Sequence, residues 1–161
     1  MPVVSNTSPL LNLAIISQLE LVETQFPHVF VPPAVVSEFR LGSGRAGSTA
    51  LGRAVGEWME VHEPSDEALV RTLRHDLDEG EAEAIALAAE HSADRILLDE
   101  REGRRRARRI GLEVTGVLGI LLRADREGEI PSLSQAVDQL ENEAGFWIAP
   151  TLREQVLDES E

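Results

Sequence analysis

The side chains best suited to chemistry in this sequence are polar groups that follow apolar segments. The first predicted strand ends at Asn6-Thr7-Ser8, and Asp99-Glu100 directly follows the apolar run Ile96-Leu97-Leu98. Glu38 and the segment Gly80-Glu81-Ala82-Glu83 lie on predicted helices that adjoin such strands. Three or four oxygen ligands are what Mg²⁺ or Mn²⁺ requires. Such ions can activate a water and stabilise the leaving oxygen of a phosphodiester.

The helix that follows Gly80 has two candidate ligands on opposite flanks. Its apolar positions repeat at helical spacing, at Ala82, Ile85, Ala86 and Ala89. Glu83 is then roughly 110° from the centre of that face, from where a carboxylate can reach the edge of a sheet. Glu81 lies on the other flank and also complements the helix dipole. From the residues alone, both are more simply explained as ordinary solvated glutamates.

Asp99 and Glu38 also have structural explanations. Asp99 leaves a predicted strand where a ligand should stand, but it equally suits the N-cap of a helix that starts at Arg101. Both roles can hold at once. One glutamate on an amphipathic helix, such as Glu38, is usually a surface residue.

A stripe of arginines begins two residues after Asp99. The spacing i, i+3, i+4, i+7 is occupied by Arg101, Arg104, Arg105 and Arg108, with Gly103, Ala107 and Ile110 on the other side of the helix. Such a stripe could bind a phosphate backbone by charge and bidentate hydrogen bonds. The alternative is a solvated face balanced by Glu100, Glu102 and the other acidic residues.

Composition limits the classes of protein. The 161 residues fit one domain, and the net charge of −14 argues against passive binding to a polyanion. It does not exclude an enzyme that works through metal ions, because a bound cation reverses the local field. There is no cysteine, no apolar run of membrane-spanning length and no recognisable leader, which predicts a cytoplasmic protein. With 4% aromatic residues, base stacking is not favoured, and Trp58 and Trp147 are predicted to be core residues.

The elements that must position these residues alternate between strands and helices. Strands are predicted at 2–5, 29–31, 58–62, 95–99 and 112–115, and helices at 10–21, 34–41, 51–55, 66–77, 80–91, 101–110, 117–126 and 133–143. Ser8 is the predicted cap of the first helix, residues 42–47 a loop, and the segment from 146 onward a short strand and a helix. This order predicts an α/β fold, a three-layer sandwich around a central, mainly parallel sheet of about five strands. Its site should lie at the carboxyl ends of the strands, where the strand order reverses.

Five segments of the chain resemble the PIN-domain family. They are Val3-Val4-Ser5-Asn6-Thr7-Ser8-Pro9-Leu10, Pro32-Pro33-Ala34-Val35-Val36-Ser37-Glu38, Gly80-Glu81-Ala82-Glu83-Ala84-Ile85-Ala86-Leu87-Ala88, Ile96-Leu97-Leu98-Asp99-Glu100-Arg101, and residues 111–121 around Thr115-Gly116. Each motif alone is weak, but their order and spacing together are fairly specific. The resemblance covers roughly residues 3–146, leaving 147–161 as a C-terminal extension of a single domain. The most similar branch comprises prokaryotic predicted nucleic-acid-binding proteins related to VapC-type toxin ribonucleases.

The resemblance implies a flavodoxin-like sheet and a Mg²⁺- or Mn²⁺-dependent ribonuclease. The family's four acidic positions would fall at Asn6, Glu38, Glu83 and Asp99, and Glu81 or Glu100 could substitute for their neighbours. The hydroxyl after the first strand would be Thr7 or Ser8, which would contact the RNA together with the arginine stripe. A homodimer and an antitoxin partner are further expectations.

The first of these positions departs from the family pattern. Asn6 keeps a carbonyl oxygen where an aspartate is usual, but it lacks the negative charge, so affinity for a hard cation should fall. Three hypotheses follow: a metal-dependent RNA endonuclease, a catalytically degenerate PIN domain that binds RNA or protein, and a protein-interaction module with an acidic groove.

Overall fold

Five short parallel strands form the centre of the molecule. A computed structural model describes residues 2–41 and 46–159. Its strands are Val3–Ser5 (β1), Val29–Val31 (β2), Met59–Val61 (β3), Arg95–Leu97 (β4) and Glu113–Thr115 (β5). They pair in the order β3-β2-β1-β4-β5, and every pairing is parallel. The predicted parallel sheet is confirmed.

The strand order reverses beside β1. The strands β2 and β3 are added on one side of β1, whereas β4 and β5 are added on the other. Ser5 is in register with Leu97, and Leu97 with Thr115, so the carboxyl ends of these strands lie side by side. The loops after β1 and β4 therefore leave the sheet at the reversal, where α/β folds place their ligands.

Helices follow and cover the strands. They are Thr7–Ile15 (α1), Glu20–Gln25 (α2), Pro33–Leu41 (α3), Ser48–Ala54 (α4), Glu67–Leu73 (α5), Glu79–Glu90 (α6), Arg101–Arg109 (α7), Val117–Arg126 (α8), Leu133–Asn142 (α9) and Pro150–Glu159 (α10). No helix among the described residues is long and apolar enough to cross a membrane.

The sheet lies between two apolar layers. Successive strand residues point to opposite faces, so Val3 belongs to one buried cluster and Val4 to the other. The larger cluster contains buried residues of α1, α2, α8 and α9, and the smaller one is formed mainly by α6. The expected three-layer sandwich is confirmed.

The first predicted helix is wrong in its start and in its length. The helix begins at Thr7, and its N-cap is Asn6 in extended conformation, not Ser8. The predicted helix over 10–21 is two helices, because the chain turns at Ser17, whose φ is 61°. The apolar pattern continues across this break because both helices bury residues in the same cluster.

Other boundaries shift by a few residues. The helix predicted over 66–77 ends at Leu73, and Asp66 caps it by accepting a hydrogen bond from the Leu69 amide at 3.0 Å. The described part of the C-terminal segment forms α10 without the short strand predicted before it. Ile110, expected on the apolar side of α7, is 47% exposed. The predicted loop at 42–47 lies largely outside the described residues.

A cavity-forming substitution tests the packing of α6 against the sheet. Ile85 is completely buried, whereas Ile110 is half exposed. We expect Ile85→Ala to lower the free energy of unfolding by about 2–5 kcal/mol, since it removes buried methylenes and leaves a cavity. Ile110→Ala is the matched control and should change it by less than about 0.5 kcal/mol. Urea denaturation measures both, and an equal cost for the two variants would contradict the assignment of α6 to the core.

Candidate functional site

A pocket opens where β1 and β4 end. Its volume is about 680 Å³. It is lined by Asn6, Thr7, Ser8, Leu11, Asn12, Glu38, Asp78, Glu81, Asp99, Glu100, Phe146 and Trp147. We call it the acidic pocket, because five of these side chains are carboxylates. It lies at the strand-order reversal, where the sequence predicted the site.

Asn6 connects the two strands at the base of the acidic pocket. Its backbone amide donates to the carbonyl of Leu97 at 3.0 Å, which continues the pairing of β1 with β4. Its side chain is 5% exposed, and its Oδ1 has no hydrogen-bond partner. A buried carbonyl oxygen without a donor is unfavourable, so this atom is available to a ligand.

Glu38 reaches the pocket from α3. A Cβ placed on Gly80 would be 2.4 Å from Glu38 Oε1 and 3.2 Å from Asn6 Oδ1. Glu38 Oε1 and Asn6 Oδ1 therefore both lie next to Gly80 at the start of α6, where the missing side chain of glycine leaves space for them. Burial raises the pKa of Glu38; the Thr7 hydroxyl opposes this, and nearby acidic side chains add to it.

Glu81 lies in the first turn of α6 and is 6% exposed. Its amide donates to Asp78 Oδ1 at 2.8 Å, so Asp78 caps the helix. Its Oε2 is buried without a hydrogen-bond partner and lies close to Gly103 of α7, where a Cβ would be 2.8 Å away. Burial, together with Asp78 and then Glu100 and Glu38, raises the pKa of Glu81 to about 8.

Asp99 follows β4 and faces the start of α8. Its Oδ1 accepts a hydrogen bond from the Val117 amide at 2.9 Å, and its Oδ2 is buried without a partner. Gly116 permits this approach, because a Cβ there would be 2.5 Å from Oδ1. Burial raises the pKa of Asp99 to about 6, although the Val117 amide and Arg104 oppose the rise. Asp99 does not cap α7, whose N-cap is Glu100.

Glu83 lies apart from the other predicted ligands. Its Oε1 accepts a hydrogen bond from the Ala34 amide at 3.2 Å, and it lines a separate pocket of about 290 Å³ with Glu63 and Arg74. Residues two apart on a helix differ by about 200° in direction. Glu81 and Glu83 therefore cannot face the same site, and the structure brings the alternate, Glu81, together with Glu38 and Asp99.

A second pocket of about 720 Å³ adjoins the first, and the two share Asp99, Phe146 and Trp147. We call it the arginine groove, because Arg101, Arg104 and Arg108 line it. The fourth residue of the predicted stripe, Arg105, points elsewhere and pairs with Glu102 at 3.5 Å.

Two residues of the site were not recognised from the sequence. Trp147, predicted to be a core residue, is 80% exposed in the wall between the two pockets, whereas Trp58 is partly buried against the core. Asp78 was overlooked, although an acidic residue three positions before a glutamate is typical of a helix N-terminus.

The donor set of the acidic pocket fits Mg²⁺ or Mn²⁺ in its chemistry. Asn6 Oδ1, Glu81 Oε2 and Asp99 Oδ2 are buried oxygens that lack hydrogen-bond partners, and oxygen ligands of this kind suit hard divalent cations. Across residues 2–41 and 46–159, no three His, Asp or Glu side chains are already gathered as a closed metal-binding group. The side chains that line the pocket would have to close around an ion.

Comparison with known proteins agrees with this geometry. A family model described as a PIN domain matches residues 2–161. A comparison with curated proteins gave no significant match. Proteins with this domain are generally of nuclease type, bind nucleic acid and use divalent metals. Nearly the whole sequence is covered by the match, and the chain belongs to the PIN-domain family.

Proposed function

We propose that this protein is a metal-dependent RNA endonuclease, in which Asn6, Glu38, Glu81 and Asp99 hold Mg²⁺ or Mn²⁺. The observation that supports this most directly is the set of buried oxygens without hydrogen-bond partners on three residues, Asn6, Glu81 and Asp99, that line one pocket at the strand-order reversal. Carboxylates in such surroundings are unfavourable unless a cation or a proton neutralises them. Glu81 takes the place that the family resemblance had given to Glu83.

The residues of the acidic pocket have separate tasks in this proposal. A divalent ion, when bound, would supply a water of lowered pKa and positive charge for the phosphodiester. Asp99 keeps one oxygen on the Val117 amide, which fixes the carboxylate while its Oδ2 stays available. Glu81 holds a proton near neutral pH and must release it before it can bind a cation. The amide oxygen of Asn6 binds without adding negative charge.

The arginine groove supports binding of a polyanion by an acidic protein. A net charge of −14 repels phosphates over most of the surface. Arg101, Arg104 and Arg108 concentrate positive charge directly beside the acidic pocket. A phosphate backbone held on these guanidinium groups would place one linkage next to the metal ligands. Thr7 and Ser8 line the acidic pocket and would contact the same strand.

The family resemblance extends the proposal further. VapC-type relatives suggest that the protein acts as the toxin of a toxin–antitoxin pair, as a homodimer in the cytoplasm. The lack of cysteine is compatible with that location.

A second candidate function follows from Asn6. An amide where the family usually has aspartate weakens the negative field on a cation. A PIN domain with this change could bind RNA or a protein without cutting it. The third hypothesis, a protein-interaction module with an acidic groove, also involves binding without cleavage.

Metal-dependent cleavage separates the candidates. We expect the protein to cut RNA in the presence of Mn²⁺, and expect Glu81→Gln with Asp99→Asn to abolish the activity. Loss of a metal site costs several kcal/mol of transition-state stabilisation, which corresponds to on the order of 10²- to 10³-fold in rate. The matched control is Glu83→Gln, which removes a carboxylate from the same helix but outside the acidic pocket and should retain activity. If Glu83→Gln lost as much cleavage activity as the double variant, Glu81 could not be assigned as the metal ligand in place of Glu83.

The pKa values of Glu81 and Asp99 predict how metal binding depends on pH. Both are raised by burial, to about 8 and about 6. The folded protein therefore binds protons more tightly than the unfolded chain, and these groups make the metal-free protein less stable as pH rises from about 4 through 8. A divalent ion competes with those protons, so the increase in Tm caused by Mg²⁺ should grow between pH 6 and pH 8.

Differential scanning fluorimetry with and without Mg²⁺ measures this effect. Glu81→Gln should flatten the increase between pH 7 and pH 8, because it removes the group that titrates there. A Mg²⁺ effect that does not change over this range would show that the ion binds at carboxylates of ordinary pKa elsewhere.

Asn6→Asp tests the departure from the family pattern. The new carboxylate would be buried beside Glu38, so we expect a lower Tm without metal. With Mg²⁺, the additional charge should strengthen binding and raise the Tm shift. If the wild-type protein cleaves RNA and Asn6→Asp cleaves it faster, the result supports the proposal of an RNA endonuclease. Cleavage that occurs only in the variant supports the degenerate binding domain, and Asn6→Ser controls for loss of the amide.

A further inference from the structure

Trp147 projects into solvent between two anchored neighbours. Its side chain is 80% exposed, whereas Ile148 is 4% exposed and Phe146 packs against the larger core cluster. The Phe146 amide donates to the Leu140 carbonyl at 2.9 Å, which fixes this segment on the end of α9. One of the two tryptophans of the chain is thus held in water by residues that are themselves fixed. An indole in this position contributes little to the core and leaves its aromatic face open to a partner.

The surroundings of Trp147 indicate the charge of that partner. The indole lines both the acidic pocket and the arginine groove. Within the described ranges 2–41 and 46–159, no carboxylate lies within ion-pair distance of Arg101, Arg104 or Arg108, whereas Arg105 and Arg106 are paired with Glu102 and Asp76. In a chain with 29 acidic residues, three arginines in one groove that make no ion pair with a described residue fit an anionic ligand, although Asp99 lines the same groove and interacts with Arg104.

We propose that Trp147 stacks on one unpaired base of an RNA strand whose phosphates lie along Arg101, Arg104 and Arg108. This inference rests on the proposed ribonuclease function and adds a base-contacting residue to it, outside the proposed metal ligands. An indole beside guanidinium groups combines the two interactions that bind single-stranded nucleic acid, base stacking and backbone neutralisation. A base inside a duplex has both faces covered and cannot stack on the indole. A strand held in this way continues from the arginine groove into the acidic pocket, because Trp147 lies in the wall that the two share.

An acidic peptide would form ion pairs with the arginines but would offer no flat surface to stack on the indole. The groove also has an apolar side, formed by Val114, Leu118 and Leu152. A nucleotide presents a flat aromatic base and a phosphate on one small unit, which matches an indole with adjacent cations. A carboxylate side chain has no such flat apolar surface, so the groove favours RNA.

Fluorescence of Trp147 measures the stacking directly. In a Trp58→Phe background, Trp147 is the only tryptophan. We expect a short unstructured RNA oligonucleotide, titrated in EDTA so that no metal-dependent cleavage occurs, to quench this fluorescence. An oligonucleotide of the same length made of abasic ribose phosphate should bind without quenching.

Four substitutions assign the contributions. We expect Trp147→Ala to weaken binding of the intact oligonucleotide about tenfold and to leave the abasic one unchanged, because only the base contact is lost. Arg108→Gln should weaken binding of both and lower the salt dependence of log K by about one unit. Arg109→Gln, an exposed neighbour outside the groove, and Ile110→Ala are the matched controls and should bind as the unmodified protein does. Trp147 and Arg108 are exposed, so these variants should keep the parent Tm.

The results that would overturn the proposal are distinct from those that would overturn the nuclease. Equal affinity of Trp147→Ala for the intact oligonucleotide, or duplex RNA bound as tightly as single strands, excludes stacking even if the protein cleaves RNA. A polyglutamate peptide that displaces the oligonucleotide at the same charge concentration assigns the groove to a protein partner. Stacking without any metal-dependent cleavage supports Trp147 as proposed and leaves a binding domain in place of an enzyme.

Discussion

Carboxylates gathered in one pocket, with little positive charge to neutralise them, are the main constraint on this structure. Glu38, Glu81 and Asp99 converge on the carboxyl ends of β1 and β4, and burial raises the pKa of each. The fold reduces the cost through helix N-termini. Asn6 precedes α1, Glu81 lies in the first turn of α6, and Asp99 accepts the first amide of α8. The positive ends of α1 and α6 therefore lie at the acidic pocket, and that of α8 lies at Asp99, which lines both pockets. Near neutral pH a proton neutralises Glu81, and a divalent ion would replace it.

The sheet order explains why these residues meet although they are far apart in sequence. The chain builds one side of the sheet with β2 and β3 and then returns to the other side of β1 with β4. The helix after β1, α1, and the helix after β4, α7, pack on opposite faces of the sheet, and the first turn of α6 lies beside the end of β1. Small residues make the approach possible, since Gly80 and Gly116 lie against carboxylate oxygens that any Cβ would displace. The same side chains on another strand order would lie on separate edges.

The local sequence pattern was sufficient to predict the strands and helices. It was not sufficient to decide which of two neighbouring glutamates lines the pocket. Alternating strands and helices predicted the parallel sheet, and Asn6, Glu38 and Asp99, which were expected near its carboxyl ends, line one pocket there. The family resemblance gave Glu83, with Glu81 as an alternate, and periodicity could not decide between them, because it gives the buried face of a helix but not which flank meets a neighbouring element. The contact of α6 with α7 through Gly103 decides that question, and it is tertiary. Trp147 was assigned to the core because aromatic residues usually are buried, and only the fixed positions of Phe146 and Ile148 show that it is not.

The distribution of the arginines completes the argument about function. Most of an acidic surface repels RNA, so productive contact needs a place where the sign of the potential changes over a short distance. The boundary between the acidic pocket and the arginine groove is such a place, and Asp99 and Trp147 belong to both. Arg104 lies close enough to Asp99 to lower its pKa, so the two fields act on each other. A phosphate at this boundary would meet guanidinium groups on one side and a carboxylate-bound cation on the other. Without the cation the second side repels it, and binding of RNA and of metal should therefore be mutually favourable.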